Sequence, residues 1–461
     1  MHKGIGWYLH TIDLSQEEKF DILNFSRFYP VKYPFLLESS ATGNMNLARY
    51  SFVFFKPKIV LQKKSKEKTS FLDAFDTLWK KTQIYQKKYF HKDKTQFPFL
   101  GGWFMYLGYE LVKEIEPSIS LPESPFKIPT AFAARASSAV IHDKKLNKLF
   151  FITDGGPENI EEMLDDHNEI DKIHELEKKL KKNYIVELIS RRTKDDHCRD
   201  VRKCIDFIFS GEIFQANLSR LWEFQVDKDL KSIELYNILR KSNPSPFGGL
   251  VILPEGSIVS SSPERLVKIE NETLQTRPIA GTRPRGQSAL TDIHLSNELI
   301  SSMKERAEHL MLVDLERNDI SRVCKPGSVK VNEMMIIESY AHVHHIVSNV
   351  VGVLKEKTNP GKIISAIFPG GTITGCPKVR CMEILGDIEK IGRGPYTGSF
   401  GYVTHDGNLD LNILIRSMVH EKEKVFLRAG GGIVADSIPE KETLETEAKA
   451  NGMLKALKLL S

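Results

Sequence analysis

The sequence predicts an α+β protein in which antiparallel strands joined by hairpins are flanked by amphipathic helices. Three observations carry that expectation. From Gly6 to about Phe151, short strand-like runs (FLLESS, ARYSFVFF, KIVLQ, GGWFMYLGYEL) are broken by turn residues. In AVIHDKKLNKLFFITDGG two apolar runs flank a polar turn, as a hairpin requires. Two distant stretches, Ser301 to Asp319 and Ile438 to Lys458, sort charged and apolar residues at helical spacing.

The remaining elements follow in order. Ser70 to Tyr89 reads as an amphipathic helix within the strand-rich first part. Asp154 to Asp196 is charged, and HELEKKLKKN, with alternating signs and the basic run Lys178 to Lys182, suits an exposed helix or connector. The expected organisation is therefore an N-terminal domain at 1–153, a connector at 154–194 and a second domain at 195–461. After Asp195 comes a helix, a turn at Gly211 and a strand; a later helix stops at NPSPF, because Pro244 and Pro246 cannot continue it. Short strands run on to Gly286, with turns at 254–256 and 271–273. Past the Ser301 helix, VNEMMIIESYAHVHHIVSNVVGVL is strand-like, Lys362 to Phe368 is a short helix, GGTITGCPK is a loop and KVRCMEILGDIEK is a helix. Three or more strands, the first two joined at Asp406 and Gly407, lead to the C-terminal helix.

Composition narrows the function. With 461 residues and 41% hydrophobic content the chain can bury a proper core. Its 65 basic and 60 acidic residues are evenly mixed, with no basic block to track a phosphate backbone, which argues against nucleic acid. The first residues lack an apolar leader and no run reaches membrane-spanning length, so a cytoplasmic protein is expected. Cys198, Cys204, Cys324, Cys376 and Cys381 form no closely spaced doublets, which argues against zinc and a disulfide framework.

Several residues could carry chemistry. In the Ser301 helix, Ile300, Met303, Ala307 and Leu310 form an apolar stripe, while Glu305, Glu308 and Leu312 share another face. In the C-terminal helix, Leu444, Ala448, Met453, Leu454 and Leu457 lie mostly on one side, and Glu442, Glu445 and Lys449 follow at spacings of three and four. If the two helices face one cleft, Glu308 and Glu445 can hold one hard cation, with water and a substrate oxygen completing a shell of the kind magnesium takes. The alternative is a solvated surface helix in each case. Gly430, Gly431 and Gly432 leave backbone amides unshielded for a carboxylate, or form a bulge or tight turn. Arg416, read as part of an apolar strand, needs an anion from the protein or from a substrate, and Tyr396 can add a hydroxyl. GGTITGCPK lacks the spacing of a phosphate loop but can place Thr372 at a pocket rim. His344 and His345 point to opposite faces of a strand; both suit buried histidines, and His342 with His344 lacks a third metal ligand. Glu264, following Pro263, can be desolvated and kept protonated for acid catalysis, or can pair with Arg265 or Lys268.

Taken in order, FQANLS, SSSPER, PIAGTRPRG, ERAEHLMLVDLERND, HHIVS, GGTITGCPKVRCMEI, YTGSFGY, IRS, AGGGIVADS and LETEAKA resemble the chorismate-utilising enzymes from about Asp195 to Lys458. LLESS with ARYSF, and GGWFMYLGYE, resemble the N-terminal domain shared by anthranilate synthase component I and aminodeoxychorismate synthase component I. The resemblance implies a layered α/β/β/α fold, two large antiparallel sheets flanked by helices, with magnesium as cofactor and chorismate as substrate. It implies that Glu308 and Glu445 are magnesium ligands. Arg416, Tyr396, Gly431, Gly432 and Lys449 would meet the substrate carboxylates, Glu264 would protonate the leaving C4 hydroxyl, and His345 and Thr282 would border the ring.

Two positions sort the subfamilies. Gln215 stands where isochorismate and salicylate synthases carry a water-activating lysine, so ammonia is the expected nucleophile. Ala280 stands where one group of aminodeoxychorismate synthases carries a lysine that attacks C2, which closes that covalent route here. Anthranilate synthases also carry alanine there, but QANLS, GGTITGCPKVRC and LDLNILIRS resemble the alanine-bearing aminodeoxychorismate synthases more, so amination at C4 is favoured over C2. A catalytically silent ligand-binding subunit is the reading from another class, and Glu264, Glu308 and Glu445 together argue against it. No Gly-x-Cys-x-Gly nucleophile elbow is present, so the resemblance implies a separate glutamine amidotransferase subunit as ammonia source. Leu37, Glu38 and Ser39, with Asn243, Pro244, Ser245, Pro246 and Phe247, match the family's tryptophan pocket.

Overall fold

The computed structural model describes residues 7–15, 20–41, 48–65, 67–87, 97–174, 184–339 and 343–460. His342, Lys178 to Lys182 and nearly all of HELEKKLKKN lie outside the described residues.

Among the described residues, two antiparallel sheets, of twelve and ten strands, form the centre of the molecule. In the first, Gln215–Val226 pairs with Lys424–Ile433, followed by Ser417–Glu421, Gly256–Ser262 and Phe247–Leu253. The N-terminal strands Phe35–Glu38, Tyr50–Phe55, Ser138–Asp143, Lys148–Thr153 and Tyr8–Asp13 continue the same sheet. In the second, Ile279–Pro284, Val343–Val353, Thr273–Thr276, Arg265–Glu270, Leu409–Asn412 and Ser399–Thr404 are continued by Gly102–Leu107, Ala131–Ala136 and Lys58–Lys63. Both sheets therefore run unbroken across the first and second parts of the chain, joined at pairs such as Leu36↔Leu250 and Phe104↔Tyr402.

Strand alternation explains the layering. In Tyr50–Phe55, Val53 and Phe55 belong to an outer core while Phe52 and Phe54 point the other way; in Gly102–Leu107, Trp103, Met105 and Leu107 face outward against Phe104 and Tyr106. Phe35, Phe54, Phe104, Phe132, Val251 and Phe400 fill the space between the sheets, with Phe35 stacked on Phe104 at 4.5 Å between centroids. Each such ring taken from water stabilises by about 1.5–3 kcal/mol, which favours aromatic residues in a layer reached from both sides. Outside the first sheet pack the helices Leu23–Phe28, Glu158–His174, Ser232–Ser242 and Pro439–Lys458; outside the second pack Phe71–Lys87, Met303–Ser321 and Pro360–Ile367. The fold is α+β, with the order helices, sheet, sheet, helices.

Local differences from the sequence reading have physical reasons. The connector is not merely exposed: Glu158–His174 buries Ile160, Met163 and Ile170 against the first sheet. Arg416 is not on a strand but between Leu409–Asn412 and Ser417–Glu421, with φ of +50°, a strained conformation for a residue with a side chain. The three glycines are neither bulge nor turn; they continue the ladder of Lys424–Ile433 opposite Asn217, Leu218 and Ser219. GGTITGCPK holds a 3-10 turn, Gly371–Ile373, and a two-residue strand, Gly375–Cys376. The apolar stripe of the Met303–Ser321 helix faces outward, with Met303 82% and Leu310 50% exposed, whereas His309, Leu312, Glu316, Asp319 and Ile320 are buried. Its partly polar face packs inward because it meets polar neighbours there, including Ser348 and Lys378. In the C-terminal helix Leu444 and Ala448 are likewise exposed, and the buried stripe is Glu442, Thr443, Thr446, Ala450, Met453, Ala456 and Leu457.

Candidate active site

A cleft of about 510 Å³ brings together residues more than two hundred positions apart: Asn243, Pro244, His345, Arg416 and Lys449 all line it. Arg416 makes no ion pair within 4 Å among the described residues; burial pushes its guanidinium down, with the charge of Glu264 pulling the other way. His345 is buried, bonded to the Thr282 hydroxyl through Nδ1 at 2.9 Å, and burial pushes it down to about 4, so it is a neutral imidazole near pH 7. His344 points away and is held by Ser339 at 2.7 Å and Asp292 at 2.9 Å.

Glu264 lies between the strands Gly256–Ser262 and Arg265–Glu270. Its Oε1 accepts from Thr372 Oγ1 at 2.8 Å. Burial raises it to about 7; the Thr372 bond lowers it, the charge of Glu316 raises it, and Lys449 and Arg416 lower it. Its sequence neighbours are engaged elsewhere, Arg265 with Asp410 and Lys268 with Glu270, each at 2.7 Å. A carboxyl raised to about 7 beside two cations can hold a proton at neutral pH and give it up.

The glycine strand packs beside the C-terminal helix that carries Lys449. A Cβ on Gly430 would fall 2.7 Å from both the Tyr396 hydroxyl and the Leu218 carbonyl, and one on Gly432 would fall 2.5 Å from Gln215 Nε2, so a side chain at Gly430 would meet backbone and one at Gly432 would displace the Gln215 amide. Tyr396 is buried and burial raises its phenol to about 12. Gln215 Oε1 and Asn217 Oδ1, both buried, have no hydrogen-bond partner among the described residues. Such acceptors are costly unless a donor reaches them. Gly431 faces the C-terminal helix, where Glu445, Glu442 and Lys449 come within 3.6–3.8 Å of its Cβ position. Ala280, half-buried, lies opposite Ile346 on the strand Ile279–Pro284, and a bulge at Gly281 separates it from Thr282.

The carboxylates expected to hold a cation sit on two helices. Glu445 is 49% exposed and paired with Lys449 at 2.7 Å; Glu308 is half-buried, one turn after Glu305, whose carboxylate packs against Gly281 and pairs with Arg283. Among the described residues no group of three or more His, Cys, Asp or Glu could hold a metal ion. This donor set does not fit an all-protein cage; carboxylates supplemented by water and substrate oxygens fit the habit of magnesium.

The segment 243–247 does not line a single pocket. Leu37, Glu38, Ser39, Pro246 and Phe247 line a second cavity of about 310 Å³, whereas Asn243 and Pro244 line the first cleft, and Pro246 lines both. Ser245 is buried in the wall between them, its amide donating to Ser40 Oγ at 2.9 Å. Two further features escaped the sequence reading. Glu316 is buried and raised to about 7 by burial and the charge of Asp319, against the pull of Lys378. Glu389 ties Arg393 (2.8 Å) and Arg428 (3.4 Å) into one buried cluster, and Arg393 lies 5.7 Å from the Tyr396 ring. The four-residue spacing of Glu389 and Arg393 is the only sequence signal for that cluster.

A two-sheet layered fold with a cleft lined by an arginine that makes no ion pair among the described residues, and with a buried glutamate raised to about 7 within reach of its charge, suits an enzyme that binds a small anion. The family model described as chorismate binding enzyme matches residues 33–455, and the chain belongs to that family. It is 42% identical to an anthranilate synthase component I-like protein of Synechocystis sp., over 78% of this chain and 73% of that one. It is 37% identical to anthranilate synthase component 1 of Aquifex aeolicus (92% and 89% covered) and 39% identical to aminodeoxychorismate synthase component 1 of Bacillus subtilis (79% and 78%). Among solved structures, anthranilate synthase component I from Streptococcus pneumoniae superposes with a TM-score of 0.73 at 28% identity, covering 88% of this chain and 92% of that one. The menaquinone-specific isochorismate synthase of Escherichia coli shares the fold, with a TM-score of 0.72 at 15% identity over 98% and 95% of the two chains.

Proposed function

We propose that this chain aminates chorismate at C4, as an aminodeoxychorismate synthase component I, giving 4-amino-4-deoxychorismate for 4-aminobenzoate and folate synthesis. A separate glutamine amidotransferase subunit supplies the ammonia. The observation that carries amination is Gln215: a buried, neutral amide whose oxygen has no partner among the described residues stands where a water-activating base would be needed for hydroxylation. The motifs QANLS, GGTITGCPKVRC and LDLNILIRS support C4 over C2. Ala280 supports the second reading, an anthranilate synthase component I that aminates C2 and releases pyruvate, and relatives of both descriptions are about equally similar.

In either reaction Arg416, Tyr396, Lys449, Gly431 and Gly432 orient the substrate carboxylates, while His345 and Thr282 border the ring. Glu264 gives a proton to the C4 oxygen, which leaves as water. The incoming ammonia forms the new C–N bond and releases one of its protons, which replaces the one Glu264 gave. Glu308 and Glu445 would hold magnesium, which when bound supplies positive charge opposite the ring carboxylate. The second cavity, with Glu38 at its edge, is where tryptophan would bind.

The deciding assay incubates the purified chain with chorismate, magnesium and ammonium, follows pyruvate, and then adds a lyase that converts aminodeoxychorismate. Lyase-dependent 4-aminobenzoate is the expected result. Immediate fluorescent anthranilate would establish C2 amination instead, and no turnover even with a glutaminase partner would mark a silent subunit.

A further inference from the structure

We infer that Glu316, on the helix Met303–Ser321, is a positioning residue whose charge, set across one tight turn from Glu264, keeps Glu264 in its proton-carrying form. The inference rests on the reading of Glu264 as the general acid. The turn Gly371–Ile373 is pressed onto the helix: a Cβ on Gly371 would fall 2.6 Å from Leu315 and 3.3 Å from Glu316 Oε1. The next residue, Thr372, donates to Glu264 Oε1 at 2.8 Å. Two buried carboxyls, 6% and 7% exposed, thus flank consecutive residues of one tight turn.

Neither carboxyl has a cation within 4 Å among the described residues. Lys378, the nearest candidate for Glu316, is engaged by Asp319 at 2.5 Å and by the Pro369 carbonyl at 3.0 Å. The charges facing Glu316 are therefore Asp319, Lys378 and Glu264; those facing Glu264 are Glu316, Lys449 and Arg416. Burial raises each acid to about 7, and the charge of Glu316 adds to the rise at Glu264. Two like charges in a dry site oppose each other, so the first to ionise makes the other retain its proton to higher pH. Lys449 and Arg416 alone would draw the Glu264 proton off; Glu316 offsets them.

A general acid works only while protonated, so kcat/KM falls as pH rises through the Glu264 ionisation. Glu316→Gln removes the opposing charge, and the descending limb should move acidward by about one pH unit, a roughly tenfold loss on that limb. Asp319→Asn removes a charge that resists Glu316 ionisation, and the same limb should move toward alkaline pH. A purely structural role would lower the whole profile without moving it. Glu264→Gln serves as the control: if it keeps the wild-type limb, the general-acid reading is wrong and the inference goes with it. If Glu264→Gln is inactive while the limb stays put in both other variants, Glu316 has no such role. Should Glu316→Gln fail to fold, the direction of the Asp319→Asn shift decides.

Discussion

The two cavities differ in how their charges are satisfied. In the cavity between the sheets, Arg49 pairs with Asp143, Arg265 with Asp410, Lys268 with Glu270 and Glu38 with Arg240, all within 2.9 Å. In the other cleft, Arg416 has no anion within 4 Å among the described residues, and burial raises the nearby Glu264 carboxyl to about 7. Charges already neutralised by protein stabilise the fold and offer a ligand only orientation. A desolvated guanidinium without a partner is costly in the empty protein and recovers that cost when an anion arrives. An anionic ligand in this cleft would supply the partner that Arg416 lacks.

That contrast can be broken experimentally. If Arg416 holds a substrate carboxylate as proposed, Arg416→Ala should cost about 1.5–3 kcal/mol of substrate binding, roughly a 10- to 150-fold rise in KM, the worth of one charge-assisted hydrogen bond. Steady-state kinetics with chorismate test this, and an unchanged KM would remove Arg416 from the substrate site. Glu308→Gln sharpens the contrast on the cation side. Loss of one carboxylate from a sparse donor set should weaken magnesium-dependent turnover by about 10- to 100-fold, read from a magnesium titration of the rate. An unchanged titration would take Glu308 out of the metal shell. The smallest kinetic effect belongs to the paired cavity: Arg265→Ala should lower the melting temperature, since it leaves Asp410 half-buried and unpaired, while chorismate turnover without added amino acid changes less than about twofold. A large fall in kcat/KM would mean that the wall at Pro246, common to both cavities, transmits the change.

The partition between the cavities also shows where sequence reading fell short. Asn243 to Phe247 looks like one recognition segment because its residues are contiguous. The chain instead crosses the wall at Ser245, so Asn243 and Pro244 serve one cleft while Phe247 serves the other. Glycines 430 to 432 are legible as a run with unshielded backbone, yet only Gly430 and Gly432 are crowded, while Gly431 has ordinary room. The tertiary register against Gln215–Val226 reveals that the crowding neighbours include Tyr396 and Gln215. The Met303–Ser321 helix inverts its apparent polarity, because helical periodicity separates two faces but does not say which one meets the protein.

By itself the sequence determined the kinds of element, the family and the chemical types at the site. Those depend on local patterns: alternation, helical spacing, turn residues and the order of motifs. Tertiary structure alone decided that N-terminal strands complete both sheets, that Arg416 stands between two strands without an ion pair among the described residues, and that Glu264 and Glu316 meet at one turn. These are matters of burial and long-range pairing, and the cost of a charge depends on what surrounds it in space rather than on what adjoins it in the chain.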